Sequence, residues 1–421
     1  MTKYLVTKSG PLRGEIEISG SKNAVLPILA AAILSDGECE IMDVPELRDV
    51  EVMCQILSSV GVSLEIDYPK NTIRIMDTTI TTSEPSCELV KKMRASFLVM
   101  GPLLAKTGKA RISLPGGCAI GARPIDLHLK GFAALGAKII IGDGFIEAKA
   151  DKLVGGNIYL DFPSVGATES IIMTATLAEG HTIIENAAME PEIVDLANFL
   201  NKMGAKIKGA GTSSIKIDGV VSLHGAKHAV IPDRVETGTF MVAAAITRGD
   251  ILIKNVVSGH VKPIIAKLIE CGVEITEDED EGLRVRADRK ELIATDIKTL
   301  PYPGFPTDMQ SQFMALLTTV KGESIVIETV FENRFMHVKE LNRMGASIQV
   351  DGKKAIITGG KKLKGAKVEA TDLRAGAALV LAGLITEGVT EISEIYHIER
   401  GYSDFAEKLT KVGASIKRVT E

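Results

Sequence analysis

One cysteine of the chain stands in a glycine-rich stretch rather than in an apolar segment. Residues 114–124 read LPGGCAIGARP, which places Cys118 between Gly117 and Gly121, with Arg123 close behind. A thiol becomes a nucleophile or an acid–base group when nearby positive charge favours its thiolate, and glycines allow a loop to close over a ligand. We therefore interpret Cys118 as a reactive group. The alternative is an idle loop cysteine.

Basic side chains recur where apolar helices are predicted to begin. The lead-ins to six such helices read SGSKNA, KKMRAS, PSVGAT, PDRVETG, PTDMQS and TDLRAG. A cation opposes the partial positive charge of a helix N-terminus unless an anion binds there. For any one residue, helix capping and a surface ion pair are the simpler interpretation, whereas the set favours an anion site. The basic residues are Lys22, Arg94, Arg234 and Arg374, with Arg334 and Arg400 in non-helical stretches.

Other motifs do not support metal or nucleotide-cofactor chemistry. GSKNA ends like a phosphate-binding loop but lacks the glycine spacing of one. His224 and His228 have the spacing of a zinc-binding pair, but Gly225 stands where the catalytic glutamate of a zinc protease would follow. No dinucleotide-binding glycine fingerprint follows a predicted strand. We expect neither a metal nor a cofactor.

Composition narrows the class of protein. A net charge of −5 over 421 residues argues against a nucleic-acid partner held by a general basic field. The five cysteines include no C-x-x-C pair, which is typical of reduced thiols in a cytoplasm. No apolar run has membrane-spanning length, and the first residues do not resemble a signal peptide. We expect a cytoplasmic protein that binds neither membrane nor nucleic acid.

The elements that position these residues follow a six-fold internal repeat. A phrase such as FLNKMGAKIK recurs every 68 to 75 residues, and an apolar run ending in glycine is interleaved with it. Each unit is predicted to contain a helix buried on all sides, a strand, an amphipathic helix that ends at a glycine, and a hairpin such as SIQVDGKKAIITGG with an Asp-Gly turn. The marker glycines are Gly61, Gly136, Gly204, Gly272, Gly345 and Gly413.

Six units with buried helices predict two inside-out α/β barrel domains of three repeats each. The last unit ends at ASIKRVTE without the partner strand and lead-in of the others, and residues 1–21 have the pattern of both. We therefore expect one domain over residues 22–231 and a second over residues 1–21 plus 232–421. The active site is expected in the cleft between them, where helix starts of both domains would face one ligand.

These motifs together resemble the enolpyruvyl transferases, in the branch that acts on UDP-N-acetylglucosamine. The resemblance covers nearly the whole chain. It implies transfer of enolpyruvate from phosphoenolpyruvate to the 3′-hydroxyl of the sugar with release of phosphate, the first committed step of bacterial peptidoglycan synthesis. It also implies that the epoxide fosfomycin modifies Cys118. The motifs are SGSKNA, GARPIDLH, FPTDMQ, ETVFENRFMH, TDLRAG and IYHIERGY, together with the Cys118 loop.

The resemblance assigns a role to each matched residue. The implied catalytic groups are Asp308 as the base on the sugar hydroxyl, Cys118 as the acid or as the nucleophile of a covalent adduct, and Lys22. The residues implied to bind phosphoenolpyruvate are Lys22, Asn23, Arg123 and Arg400. Those implied to bind UDP-N-acetylglucosamine are Asn23, Arg94, Arg123, Pro124, Ile125, Asp126, Leu127, Ser164, Val165, Asp308 and Val330. The supporting residues are His128, Arg234, Glu332, Arg334, Asp372 and Arg374.

Several alternatives stay open at this point. The shikimate-pathway enolpyruvyl transferase shares the repeat, although the glycine-flanked cysteine loop is not expected there. A nucleic-acid clamp would need basic inner helices, and a silent paralogue would only bind the UDP-sugar. Asp308 alone would serve as a simple helix cap. Phe162 stands where some members of the family carry a lysine near the nucleotide.

Overall fold

The protein folds into two compact units. A computed structural model describes residues 2–114, 125–278 and 281–420. Within them, the first unit takes residues 20–114 and 125–231, and the second unit takes residues 2–19 and 232–420. The chain therefore leaves and re-enters the second unit at two peptide segments, Ser19–Gly20 and Ile231–Pro232.

Helices and strands alternate along the whole chain. The α-helices are α1 (Lys22–Ala31), α2 (Arg48–Ser59), α3 (Cys87–Lys92), α4 (Met100–Thr107), α5 (Asp126–Ala134), α6 (Val165–Ala175), α7 (Pro191–Lys202), α8 (Arg234–Ile246), α9 (Lys262–Glu270), α10 (Gln310–Thr319), α11 (His337–Arg343), α12 (Leu373–Gly383), α13 (Tyr396–Glu399) and α14 (Phe405–Lys411). Short 3₁₀ helices span Ala32–Leu34, Tyr68–Lys70, Arg94–Val99, Ser258–His260 and Thr307–Met309.

The strands are short, as expected for hairpins and single crossovers. They are β1 (Thr2–Thr7), β2 (Arg13–Glu17), β3 (Cys39–Met42), β4 (Ser63–Asp67), β5 (Thr72–Asp77), β6 (Lys109–Ser113), β7 (Lys138–Ile141), β8 (Phe145–Lys149), β9 (Asn157–Tyr159), β10 (His181–Glu185), β11 (Lys206–Lys208), β12 (Ser214–Asp218), β13 (Lys227–Ala229), β14 (Asp250–Lys254), β15 (Glu274–Asp278), β16 (Gly282–Arg286), β17 (Ile297–Lys298), β18 (Glu323–Ile327), β19 (Ile348–Asp351), β20 (Lys354–Thr358), β21 (Lys367–Glu369), β22 (Val389–Ser393) and β23 (Ser415–Thr420).

Each unit combines three central helical segments with three separate sheets. In the first unit the central helices are α1, α4 and α6, and the sheets have the orders β13-β3-β5-β4, β6-β8-β7 and β11-β12-β10-β9. In the second unit they are α8, α10 and α12, which pack on one another, and the sheets are β15-β16-β14-β2, β17-β18-β20-β19 and β21-β22-β1-β23. The architecture is the expected α/β arrangement with helices inside, built here from open sheets.

The central helices are buried on nearly every side because their sequences are apolar all round. In α8, every residue from Val235 to Ile246 is buried, and in α12 every residue from Arg374 to Gly383 is buried. Such helices cannot be held by one amphipathic face, so sheets and outer helices must cover them. Two independent apolar cores result, one in each unit.

The six marker glycines share one backbone conformation. Each follows the last turn of an amphipathic helix, and their φ angles run from +93° at Gly272 to +110° at Gly61. Glycine adopts this region without a Cβ penalty, which is why it ends these helices. The hairpin at 348–358 differs in one detail from the expected Asp-Gly turn, because Gly352 and Lys353 form the turn while Asp351 pairs with Lys354.

The N-terminal residues join two different sheets of the second unit. Strand β1 pairs antiparallel with β22 and with β23 and so fills the sheet of the sixth repeat. Strand β2 instead pairs parallel with β14. It precedes α1 in sequence, whereas β13, which precedes α8, pairs parallel with β3 of the first unit. The two lead-in strands are thus exchanged where the chain passes between units.

None of the helices in the described part of the chain is both long enough and apolar enough to cross a membrane.

Candidate functional site

Asp308 lies at the centre of an arginine cluster in the second unit. The 3₁₀ turn Thr307–Met309, just ahead of α10, carries Asp308. A guanidinium nitrogen of Arg334 lies 2.7 Å from its Oδ1, and Arg374 contacts its Oδ2 through Nε at 3.2 Å and through Nη2 at 3.0 Å. Both arginine side chains are 3% exposed, whereas the Asp308 side chain is 28% exposed. The arginines therefore fix a carboxylate that solutes can still reach.

The environment of Arg374 explains how a buried cation is tolerated. Burial alone would lower the pKa of Arg374, but the Tyr402 hydroxyl and the carboxylates of Asp308 and Asp233 outweigh burial and raise this pKa. The guanidinium carbon lies 5.1 Å from the centre of the Tyr402 ring. Arg374 thus keeps its charge and holds Oδ2 of Asp308 with two hydrogen bonds that converge on this one oxygen, a geometry that the single ammonium nitrogen of lysine cannot reproduce.

Helix capping in this region is carried out by other aspartates. Asp372 accepts hydrogen bonds from the backbone NH groups of Arg374 and Ala375 at 2.9 and 3.1 Å. At the start of α8, Asp233 accepts from the NH groups of Val235 and Glu236. The N-cap positions of the 3₁₀ turn 307–309 and of α10 are Pro306 and Met309, and neither side chain makes a cap hydrogen bond. The side chain of Asp308 pairs with Arg334 and Arg374, and the supporting residue Asp372 caps the helix that carries Arg374.

The remaining predicted residues of the second unit lie in settings of their own. The guanidinium carbon of Arg234 lies 5.6 Å from the centre of the Tyr302 ring. Arg400 ends α13, and its charge, after the larger effect of burial, lowers the pKa of His397. Val330 donates its backbone NH to Glu328 at 2.8 Å. Glu332 is exposed in the turn after β18. The structure thus joins Asp308, Arg334 and Arg374 directly.

A buried polar network behind Arg374 escaped the sequence analysis. The Tyr402 hydroxyl lies 2.9 Å from Oγ1 of Thr239 and accepts a hydrogen bond from Nε2 of Gln312 at 3.2 Å. Burial is the main reason that the pKa of Tyr402 is raised, so the hydroxyl stays protonated. The available signal was Gln312 in α10, a helix buried from Gln310 to Thr318, because a buried amide needs a polar partner.

In the first unit, Lys22 forms a pair with a buried aspartate. Lys22 is the first residue of α1, and its Nζ lies 3.4 Å from Oδ2 of Asp49. The two side chains are 13% and 7% exposed. Asn23 follows in the same turn and is half-buried. The protein therefore supplies a carboxylate to this helix-start cation, as Asp308 does for Arg374.

A second group of predicted residues surrounds His128 in the same unit. The His128 ring packs edge-on against Phe97, with ring centres 5.2 Å apart. Burial, followed by the positive charge of Arg94, lowers the pKa of His128 to about 4, so the ring is neutral at pH 7. A Cβ atom added at Gly166 would lie 3.0 Å from Nε2 of this ring.

His128 therefore links three segments that carry predicted ligand residues. These are the 3₁₀ turn that begins at Arg94, the start of α5 with Ile125, Asp126 and Leu127, and the start of α6 with Val165. Ser164 caps α6 by accepting a hydrogen bond from the NH of Ala167 at 3.4 Å. Phe162, two residues earlier, is 44% exposed. Cys118, Arg123 and Pro124 lie outside the described residues.

The two histidines with zinc-like spacing have other partners. His228 is buried, and its Nε2 lies 2.9 Å from Oδ1 of Asp195. His224 is exposed, and its Nδ1 lies 2.9 Å from the carbonyl oxygen of Gly225. Across residues 2–114, 125–278 and 281–420, no cluster of three or more His, Cys, Asp or Glu side chains is arranged to hold a metal ion.

Comparisons with known proteins place this geometry in a family. Residues 6–409 match the family model described as EPSP synthase (3-phosphoshikimate 1-carboxyvinyltransferase). The chain is 64% identical over 417 residues to UDP-N-acetylglucosamine 1-carboxyvinyltransferase 1 of Caldanaerobacter subterraneus subsp. tengcongensis, covering 99% of each chain. It is 60% identical to UDP-N-acetylglucosamine 1-carboxyvinyltransferase 2 of Carboxydothermus hydrogenoformans, covering 100% of both.

Solved structures agree at the level of the fold. The enolpyruvyl transferase NikO from Streptomyces tendae superposes with a TM-score of 0.90 at 24% identity, covering 100% of this chain and 99% of the other. EPSP synthase from Acinetobacter baumannii superposes with a TM-score of 0.78 at 18% identity, covering 100% of both. From its full-length match to the family model and its identity to full-length relatives, this chain belongs to the EPSP synthase family.

Proposed function

We propose that this protein transfers the enolpyruvyl group of phosphoenolpyruvate to the 3′-hydroxyl of UDP-N-acetylglucosamine and releases phosphate. The observation that carries the proposal is the carboxylate of Asp308, held by Arg334 and Arg374 at 2.7 to 3.2 Å while still partly exposed. Relatives at 57–64% identity carry the name of this activity over their full length. As a member of this family, the chain is a transferase.

The chemistry is an addition followed by an elimination. Asp308 takes the proton of the sugar hydroxyl while the oxygen of this hydroxyl bonds to C2 of phosphoenolpyruvate. An acid delivers a proton to the C3 methylene. In the second step the C2–O bond to phosphate breaks and C3 loses a proton, which regenerates the double bond. We assign the acid role to Cys118, which acts either as the proton donor or through a covalent adduct.

Cationic residues would hold the anionic substrate. We propose that Lys22, Arg123 and Arg400, with Asn23, bind the phosphate and carboxylate of phosphoenolpyruvate. Nζ of Lys22 lies 3.4 Å from Oδ2 of Asp49, and the flexible lysine side chain allows the ammonium group to turn toward an incoming anion. Lysine acts as a flexible point charge in such sites.

The UDP-sugar would bind along the segments that meet at His128. We propose that Arg94, residues 123–127, Ser164 and Val165 contact the nucleotide sugar, with Asn23, Asp308 and Val330 completing the set. The neutral His128 ring packs against these segments and adds no charge of its own. The charge that the diphosphate needs would therefore come from Arg94 and Arg123.

The shikimate ester is the rival acceptor. EPSP synthases resemble this chain at 18% identity, which supports a common fold and no more. The UDP-N-acetylglucosamine enzymes resemble it at more than three times that identity. We therefore favour the nucleotide sugar, and with it a role in the cytoplasmic stage of peptidoglycan synthesis. We also propose that one domain spans residues 22–231 and that the second spans residues 1–21 plus 232–421.

The test is phosphate release from phosphoenolpyruvate with each acceptor in turn. We expect release with UDP-N-acetylglucosamine and none with shikimate 3-phosphate, and release with the shikimate ester alone would overturn the proposal. Cys118→Ser, assayed in parallel, measures how far turnover depends on the thiol. Fosfomycin should leave one adduct on the peptide 114–124, and an adduct that persists in Cys118→Ser would contradict this assignment.

A further inference from the structure

A buried carboxylate that the sequence analysis left without a role lies beside the Asp308 cluster. Glu328 follows β18 and is 1% exposed. Its Oε1 accepts hydrogen bonds from Oγ1 of Thr299 at 2.9 Å and from the NH groups of Val330 and Phe331 at 2.8 and 3.2 Å. Its Oε2 accepts from Oγ1 of Thr307 at 2.9 Å. None of the described lysine, arginine or histidine side chains forms a salt bridge with Glu328.

The four hydrogen bonds join three separate pieces of chain. Thr307 is the residue immediately before Asp308, and Val330 is one of the residues proposed to line the UDP-sugar. Thr299 follows β17 and opens the loop that ends at Thr307, and this loop is closed by a hydrogen bond from the NH of Leu300 to the carbonyl oxygen of Phe305 at 2.9 Å. Glu328 therefore binds both ends of the loop and the start of the next one.

This arrangement divides the positioning of Asp308 between two sets of contacts. Arg334 and Arg374 orient the carboxylate, whereas the bond from Thr307 to Glu328 fixes the backbone that carries it. A buried acceptor loses much when one of its donors is removed, so all four bonds constrain each other. Displacement of a catalytic group by about 1 Å can cost on the order of a hundredfold in rate.

We propose that Glu328 is a positioning residue, which sets the backbone of Asp308 through Thr307 and the backbone of Val330 directly. This inference rests on the proposed function, because it assumes that Asp308 takes the hydroxyl proton. Two consequences separate the two branches of the network. The Thr307 branch acts on the base and so on kcat. The Val330 branch acts on the nucleotide sugar and so on its KM.

The test compares variants that remove one branch at a time. Thr307→Val keeps the side-chain shape but removes the hydroxyl, and we expect kcat to fall about tenfold or more with KM for UDP-N-acetylglucosamine within about twofold. Thr307→Ser keeps the hydroxyl and should stay within about twofold of wild type. Glu328→Gln disturbs both branches, so kcat should fall and KM should rise about tenfold or more.

A matched control separates positioning from stability. Thr386 is also a buried threonine of the second unit and lies just after the C-terminal end of α12. Its Oγ1 donates a hydrogen bond to the carbonyl oxygen of Gly383. Thr386→Val should lower the melting temperature and leave kcat and KM unchanged, since both are measured on the folded fraction well below the lowest melting temperature. Thr307→Val remains informative even if Glu328→Gln fails to fold.

Three results would overturn the inference. Wild-type kcat in Thr307→Val, or equal loss in Thr307→Ser and Thr307→Val, would show that the hydroxyl does not position the base. The same loss of kcat in Thr386→Val would assign the effect to stability. These results leave the proposed function intact if the wild type is active. If the wild type releases no phosphate with UDP-N-acetylglucosamine, the proposed function fails, and the role of Glu328 fails with it.

Discussion

The two units pair the cations and carboxylates of their candidate sites in opposite ways. In the second unit the carboxylate of Asp308 is the more exposed partner, and two buried arginines hold it with three contacts of 2.7 to 3.2 Å. In the first unit both partners are mostly buried, and Nζ of Lys22 lies 3.4 Å from Oδ2 of Asp49. The arginines fix the carboxylate of Asp308, whereas Lys22 is able to exchange Asp49 for another anion.

This difference matches the tasks that we propose for the two sites. A general base must be oriented toward one proton, and arginine contacts on both carboxylate oxygens restrict the rotation of Asp308. An anion-binding lysine must exchange an internal carboxylate for a ligand, which a flexible side chain at 3.4 Å from its partner allows. The comparison therefore predicts that substitutions will have unequal effects at the two pairs.

The largest effect is expected when the carboxylate of Asp308 is replaced by an amide. Asp308→Asn keeps the shape of the side chain but removes the base, so kcat should fall about 10²- to 10⁴-fold. The measurement is steady-state phosphate release, with thermal melting as a check on folding. Asp351→Asn, an exposed aspartate in the β19–β20 hairpin, should retain wild-type kcat. Equal activity of the two variants would remove Asp308 from the mechanism.

Substitutions of Lys22 and of Asp49 should lower kcat/KM for phosphoenolpyruvate by unequal factors. Lys22→Met removes a charge clamp worth about 2–4 kcal/mol of transition-state stabilisation, so kcat/KM for phosphoenolpyruvate should fall about 30- to 1,000-fold. Asp49→Asn leaves the ammonium group in place and should cost less than about tenfold. Equal losses in both variants would show that the pair acts as one structural unit.

Acid sensitivity of stability should be centred on two buried histidines, one in each unit. Burial lowers the pKa of His337 to about 4, as it does for His128. Between about pH 6.5 and about pH 4, each of these histidines binds a proton in the unfolded chain but stays neutral in the folded protein. The free energy of unfolding should therefore fall as pH drops through this range. For His337 the loss reaches up to about 3 kcal/mol at the lower limit.

Chemical denaturation at several pH values tests this point. The variant His337→Gln should show a shallower decline of the free energy of unfolding with falling pH than wild type does, and His128→Gln provides the matched measurement in the first unit. An unchanged slope in His337→Gln would mean that another group controls acid stability. Asp372 and Arg334 are the charged groups whose effects on the pKa of His337 oppose each other.

The smallest effect is expected at the edge of the first unit. Phe162 is exposed, and Phe162→Lys would add a positive charge where the nucleotide is proposed to lie. Exposed charge pairs contribute about 0.2–1 kcal/mol, so KM for UDP-N-acetylglucosamine should fall by less than about fivefold with kcat unchanged. Phe162→Met controls for loss of the ring. A large change in kcat would move this residue into the chemistry.

Local features of the fold were predictable from sequence because they depend on single residues. The marker glycines predicted the ends of the amphipathic helices, and all six adopt positive φ angles. The apolar composition of α8 and α12 predicted their complete burial. The repeat pattern placed residues 1–21 in the second domain, but it did not predict that β2 pairs parallel with β14 or β13 with β3. The partner in a parallel pair depends on which helix covers each strand rather than on the strand's own residues.

The sequence indicated candidate residues for the site but not the contacts between them. The motifs around Asp308, Arg334 and Arg374 indicated charge, but these residues come from three separate segments, and only the fold brings them within 2.7 to 3.2 Å. The same holds for Asp49, which gave no signal of its contact with Lys22. Glu328 stood inside a recognised motif, yet its role depends on donors from Thr299 and Thr307, which are 29 and 21 residues away.

The most direct test of the account follows the carbon atoms rather than the phosphate. Phosphoenolpyruvate labelled with ¹³C at C2 and C3 is incubated with UDP-N-acetylglucosamine and either wild type or Asp308→Asn, and the nucleotide sugar is analysed by NMR and mass spectrometry. We predict that wild type places both labels in an enol ether on the 3′-oxygen and that Asp308→Asn does not at a comparable rate. Unlabelled UDP-N-acetylglucosamine after phosphate release by wild type would contradict the account.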